Sequence, residues 1–136
     1  MRRLRSVNFE YLSSKEVDLR NETQVEKYFE SKVQKGREIY VIHLAARVGG
    51  LYANMKDKVG FYEDNMSINM NVLKYCNKYG VNKVVSALST CIFPDNYRPE
   101  GFPKDQNYDM SEDDIHKGKP HSSNEGYAYA KRMLEM

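Results

Sequence analysis

The chain has 136 residues, with 21 Lys and Arg against 19 Asp and Glu, a formal charge of +2, and 40% hydrophobic residues. That is material for one domain, residues 1–136, around one core. The near balance of charge excludes a polycation built for nucleic acid, no apolar run approaches the roughly 18 residues of a membrane span, and the two cysteines and three histidines give neither a disulfide framework nor a zinc-like spacing.

The start, Met1-Arg2-Arg3-Leu4-Arg5, is basic like a signal peptide, but Asn8 and Glu10 interrupt what would be its apolar region. A cytoplasmic protein with reduced Cys76 and Cys91 is expected. Residues 23–35 open on Thr23-Gln24-Val25-Glu26, a capping-box pattern, and set Val25, Tyr28, Phe29 and Val33 on one helical stripe before Gly36. Residues 39–44, β-branched and apolar on both alternating faces, predict a central parallel strand covered on both sides. Ile68, Val72, Leu73 and Cys76 recur at helical spacing and predict a helix over about 61–79, with Gly80 as its stop. Residues 83–89 repeat the buried-strand pattern, so 39–89 reads as a β-helix-β unit with parallel strands and a right-handed crossover. Residues 93–124 carry prolines, glycines and acidic residues with no durable period, a long loop of the kind that binds or covers a ligand, with at most a short helix. From about Glu125 the pattern is helical again up to Met136.

In an open α/β sheet, ligands gather at the carboxyl ends of the strands. After the first predicted strand come Ala45-Ala46-Arg47-Val48-Gly49-Gly50, small residues that admit a flat ligand close to the backbone. After the second come Ser89-Thr90-Cys91, which can donate, accept or move protons. Taken alone, either segment also fits an ordinary turn or a polar strand end. Tyr127-x-x-x-Lys131 puts a phenol and an ammonium on one helical face, where the cation favours the phenolate. The spacing recurs at Tyr11 and Lys15, Tyr28 and Lys32, and Tyr79 and Lys83, so context must choose. Tyr28 belongs to an apolar stripe, the Tyr79 pair straddles Gly80, and the Tyr11 pair lies in an irregular lead-in, which leaves Tyr127. Ser89, Tyr127 and Lys131 then make a hydrogen-bond donor, a proton donor and a charge tuner around one carbonyl, a set suited to reduction with a nicotinamide supplying hydride. Cys91 is either a small buried filler or a base for a proton α to that carbonyl, which is epimerase chemistry.

These same residues carry a resemblance. His43-Leu44-Ala45-Ala46, Val48-Gly49-Gly50-Leu51, the Asn65 to Leu73 run N-M-S-I-N-M-N-V-L, Ser89-Thr90-Cys91-Ile92-Phe93-Pro94-Asp95 and the block from His121 to Leu134 resemble the GDP-L-fucose synthases of the extended short-chain dehydrogenase/reductase family, from about Leu12 onward. The resemblance implies an α/β fold: a partial Rossmann-like, doubly wound parallel sheet lacking the first strand with its Gly-rich loop and the C-terminal substrate domain. It implies NADP as cofactor, GDP-4-keto-6-deoxy-D-mannose as substrate, epimerisation at C3 and C5, and reduction at C4. Ser89, Tyr127 and Lys131 match the reductase triad and Cys91 an epimerisation acid/base. Asp18 and Leu19 match the element near the adenine, and Leu44, Ala45, Ala46 and Leu88 would line the cofactor with Val48 and Gly49 near its reactive end. Asn65 lies in a matching block without an assigned role. A homodimer through the 61–79 and 125–136 helices is implied.

The chain departs from that pattern in several places. It contains no G-x-x-G-x-x-G loop to cradle a pyrophosphate, and the family's downstream epimerisation histidine has no counterpart, since His116 and His121 fall in a loop motif where Lys119 replaces a proline. The chain alone is therefore expected to be inactive, the central slice of such an enzyme. The alternatives are a non-catalytic remnant or interaction module, and another nucleotide-sugar epimerase or dehydratase of the superfamily.

Overall fold

The computed structural model describes residues 8–33, 37–104 and 106–135. The basic start at residues 1–5, Gly36 and Met136, all used in the expectations above, lie outside the described residues.

Helix α1, Glu22–Lys32, is capped two residues before the expected capping box. Asn21 caps it, its side-chain oxygen accepting the Gln24 N–H at 3.1 Å, and Thr23 is already helical. Asn ranks with the best N-caps, so the earlier residue wins. Strands β1, Tyr40–His43, and β2, Lys83–Ser86, pair in parallel with Tyr40 opposite Lys83 and His43 opposite Ser86. Between them lie α2, Leu51–Lys56, which the apolar pattern did not reveal, and α3, Lys58–Lys78. Asp57 separates these two by accepting the Gly60 N–H at 3.1 Å. Gly80, at φ +65°, closes α3 as anticipated: its N–H reaches the Asn77 carbonyl and the Val81 N–H the Cys76 carbonyl, a Schellman stop.

The core lies between α1, α3 and one face of the sheet. Val17, Val25, Phe29, Val72, Tyr75 and Cys76 are buried together, with Val41 and Val84 packed on them. Strand alternation sends the other set outward. Ile42 and its register partner Val85 are 62% and 52% exposed, and Tyr40 and Leu44 stand beside them. The expectation of a strand covered on both sides is thus corrected: among the described residues only one face is covered. No helix of the described residues is long and apolar enough to cross a membrane.

Helix α4, Glu125–Arg132, crosses α3 so closely that a Cβ on Gly126 would lie 2.0 Å from the Lys58 carbonyl oxygen. Lys58 and Glu125 pair at 2.7 Å beside that contact. The helix stops at Arg132, short of the predicted run to Met136. Arg132 is buried, and its guanidinium donates to the carbonyls of Ile92 and Gly118, pinning both ends of the long loop. That loop holds one short 3-10 turn, Glu112–Asp114, tied by the Tyr108 hydroxyl and the Ser111 N–H to the Asp114 carboxylate.

Candidate active site

Parallel pairing brings the carboxyl ends of β1 and β2 side by side, and the Ala87 N–H extends the ladder by donating to the His43 carbonyl at 3.1 Å. Helix α4 docks on this seam through two buried polar contacts. Asn69 of α3 donates its amide N–H to the Ala130 carbonyl at 3.0 Å, so its oxygen faces His43, whose Nε2 lies 3.1 Å away and must donate. Burial pushes the His43 imidazole below its ordinary value, the bond to Asn69 opposes this, and the Lys131 cation adds to it. Lys131 is itself buried, its Nζ donating to the Ala87 carbonyl at 3.0 Å, and burial draws its ammonium below the usual lysine value.

Past Ala87, Ser89 caps a short 3-10 turn, Thr90–Ile92, and its Oγ accepts the Cys91 N–H at 3.3 Å. This turns Ser89 and Cys91 toward Tyr127. Burial raises the Tyr127 phenol above its ordinary value, the neighbouring Ser89 hydroxyl pulls it back, and the Cys91 sulfur pushes it further up. The hydroxyl and thiol singled out from sequence therefore both bear on the Tyr127 phenol. Lys131 turns its ammonium onto the strand end, where it meets the Ala87 carbonyl. The rival tyrosine-lysine pairs have other uses. Lys32 lies over the Tyr28 ring and pairs with Glu10, while Tyr79 stacks on Phe29.

The residues expected along a cofactor divide in two. Leu44 and Val48 are exposed, Ala45 and Ala46 half-buried, and with Leu88 they border the open strand ends. Asp18 and Leu19 lie in the turn before α1, where Arg20 takes the Asp18 carboxylate at 2.9 Å and holds it below its ordinary value. Asp64 of α3 joins the two regions, accepting Arg20 at 3.4 Å and Arg47 at 3.1 Å. Beside it, fully buried Asn65 accepts the Arg47 N–H at 2.9 Å and donates to the Arg47 and Phe61 carbonyls at 3.0 and 2.7 Å. Asn65 thus fixes the backbone of the loop after β1. The sequence held a signal for it: an amide amid the apolar stripe of Phe61, Ile68 and Val72 needs partners once buried.

The small residues Ala45 and Ala46 leave the strand end open to a flat group, while the chain contains no Gly-rich turn for a pyrophosphate. Next to the triad, Cys91 lines a cleft of about 290 Å³ together with Asp95, His121 and Asn124. His116 points elsewhere and pairs with Glu135 at 2.6 Å. No cluster of three or more metal-ligating side chains occurs among the described residues.

Comparison with known proteins gives the chain's family. The model of the NAD dependent epimerase/dehydratase family matches residues 2–136. A GDP-L-fucose synthase of Dictyostelium discoideum is 48% identical over 126 residues, and a probable GDP-L-fucose synthase of Drosophila melanogaster is 41% identical over the same length. In both cases 93% of this chain is covered, and the chain spans 35% of the relative's length. The crystal structure of a GDP-L-fucose synthetase from Naegleria fowleri bound to NADP superposes with a TM-score of 0.76 at 46% identity, covering 93% of this chain and 36% of that one. The two-stranded parallel sheet is accordingly part of a Rossmann-like fold.

Proposed function

The chain belongs to the NAD dependent epimerase/dehydratase family, and from that premise we propose that it forms the central part of a GDP-L-fucose synthase, acting on GDP-4-keto-6-deoxy-D-mannose with NADPH. The observation that carries this reading is the packing of the Ser89-capped turn, Thr90–Ile92, against α4, the helix of Tyr127 and Lys131, at the joined strand ends. Similarity to the Dictyostelium and Naegleria proteins over nearly all of this chain supports the choice of substrate and cofactor.

In this reading the nicotinamide, when bound, supplies the hydride for C4. Tyr127 gives its proton to the ketone oxygen. Ser89 donates a hydrogen bond to the same oxygen. Lys131 holds α4 on Ala87, so the phenol stays over the strand ends. Cys91, as thiolate, takes the proton from a carbon α to the ketone, and negative charge moves to the oxygen that Ser89 and Tyr127 hold. Return of a proton from solvent to the opposite face of that carbon inverts it, while Cys91 passes its own proton back to solvent.

Ala45, Ala46 and Val48, on the backbone that Asn65 fixes, would lie along the dinucleotide, and the Asp18-Leu19 turn near its adenine. A homodimer through α3 and α4 is supported by the exposed row of Val59, Tyr62, Met70 and Leu73 with Met133. The free thiols Cys76 and Cys91 suit a reducing cytoplasm.

A chimera with this chain replacing the matching 126 residues of the Dictyostelium enzyme tests the reading. The chimera is expected to turn the keto sugar nucleotide into GDP-L-fucose with equimolar NADPH oxidation. A folded chimera that oxidises no NADPH overturns it.

A further inference from the structure

The Cys91 cleft contains a group that the reduction and epimerisation steps above leave unused. His121 lines it, and the Ser123 N–H approaches the His121 Nδ1 at 3.2 Å while the Ser123 hydroxyl lies 2.7 Å from the same nitrogen. A backbone N–H can only donate, so Nδ1 carries its lone pair and the ring proton sits on Nε2. Nε2 has no partner among the described residues. The cleft therefore holds a sulfur able to take a proton and, on the same lining, an imidazole whose Nδ1 is already engaged.

We propose that His121 touches the substrate, donating from Nε2 to a sugar oxygen attached next to the carbon that Cys91 deprotonates. The proposal rests on the epimerase/reductase reading and adds a contact to it. The charge that forms on deprotonation goes to the ketone oxygen that Ser89 and Tyr127 hold, so a hydrogen bond from His121 to the oxygen beside the reacting carbon acts by fixing that carbon over the Cys91 sulfur. A cleft of about 290 Å³ is of the size that holds a single sugar ring. The other ionisable group along it is Asp95, whose N–H is tied to the Lys119 carbonyl.

Two measurements decide the matter. In the isolated chain, long-range proton-nitrogen NMR of the His121 ring should report the Nε2–H form; an Nδ1–H ring overturns the proposal. In the chimera, with the keto sugar nucleotide in D₂O and no NADPH, His121→Ala should slow deuterium uptake at C3 and C5 by about tenfold, the loss of one hydrogen bond. NADPH oxidation on pre-epimerised substrate should fall less. His121→Gln, whose amide N–H reaches the Nε2 position, should recover most of the exchange. Unchanged exchange in His121→Ala, or no recovery in His121→Gln, overturns the proposal while leaving the reading above intact. That reading fails instead if Tyr127→Phe still reduces the ketone.

Discussion

Lys131 ends on the carbonyl oxygen of Ala87, 3.0 Å away, so the helix that carries Tyr127 is moored to the strand end that leads to Ser89. A flexible amine would not be buried for packing alone, since burial works against its charge. The hydrogen bond offsets part of that cost and sets the distance between two segments far apart in sequence. Replacing the amine with an apolar chain leaves the carbonyl unpaired. Lys131→Met is expected to lower stability by roughly 1–3 kcal/mol in urea denaturation, and unchanged stability would show that the mooring carries no load.

Asn65 makes a second test of how the site is held. Asn65→Ala removes the acceptor for the Arg47 N–H and the donor for two carbonyls. The expected loss is about 2–4 kcal/mol, from groups left unpaired in the interior. Amide exchange at Arg47 should rise more than exchange along β2. A uniform rise would mean that Asn65 supports the whole fold rather than the loop after β1.

Gly126 is required by proximity. With the Lys58 carbonyl oxygen 2.0 Å from where a Cβ would stand, Gly126→Ala must push α4 off α3. A destabilisation of roughly 1–3 kcal/mol is expected from the overpacking, despite the better helix propensity of alanine. A rise in melting temperature would contradict the close crossing.

His43 gives the fold a pH dependence. Its folded-state value is lowered, first by burial, so the unfolded chain takes up a proton at a higher pH than the folded one does. The stability it contributes is present above its unfolded value of about 6.5 and is lost as pH falls through the lower folded value. His43→Gln should flatten the fall in stability on the acidic side of neutrality, measured by urea midpoints across that window. An unchanged slope would assign the dependence to other groups.

Cofactor affinity separates the site from its missing cradle. NADPH is expected to bind the isolated chain only weakly, since the strip at Ala45 and Ala46 and the Tyr127 region supply no anion-binding turn for the pyrophosphate. A fluorescence titration that saturates at low micromolar cofactor would overturn this.

Much of this was legible in the residues, because parallel strands bring their ends together by geometry alone. Once the patterns at 39–44 and 83–89 are read as strands around a helix, Ala45 and Ser89 must lie on one side, and the Gly80 stop follows from the need for a left-handed residue. Helix α2 escaped notice because six residues are too few to set up a period, and Asn21 escaped because a capping pattern starting at Thr23 looked sufficient. The bare side of the sheet escaped for a different reason. Residues apolar on both faces state that two covers are wanted, and Tyr40, Ile42 and Val85 keep that character with one cover in place. The direction of Lys131 depends on where Ala87 lies in space, which spacing from Tyr127 cannot give. Asn65, an amide within an apolar stripe, signals burial but not its partners, which lie on the loop after β1.

The division of labour between Tyr127 and Cys91 is the heart of the account, and the chimera can measure both halves separately. Deuterium entry at C3 and C5 reports epimerisation, and NADPH oxidation on pre-epimerised substrate reports reduction. Tyr127→Phe should abolish oxidation, and Cys91→Ser should block exchange while oxidation persists. Equal loss of both steps in both variants would contradict the assignment.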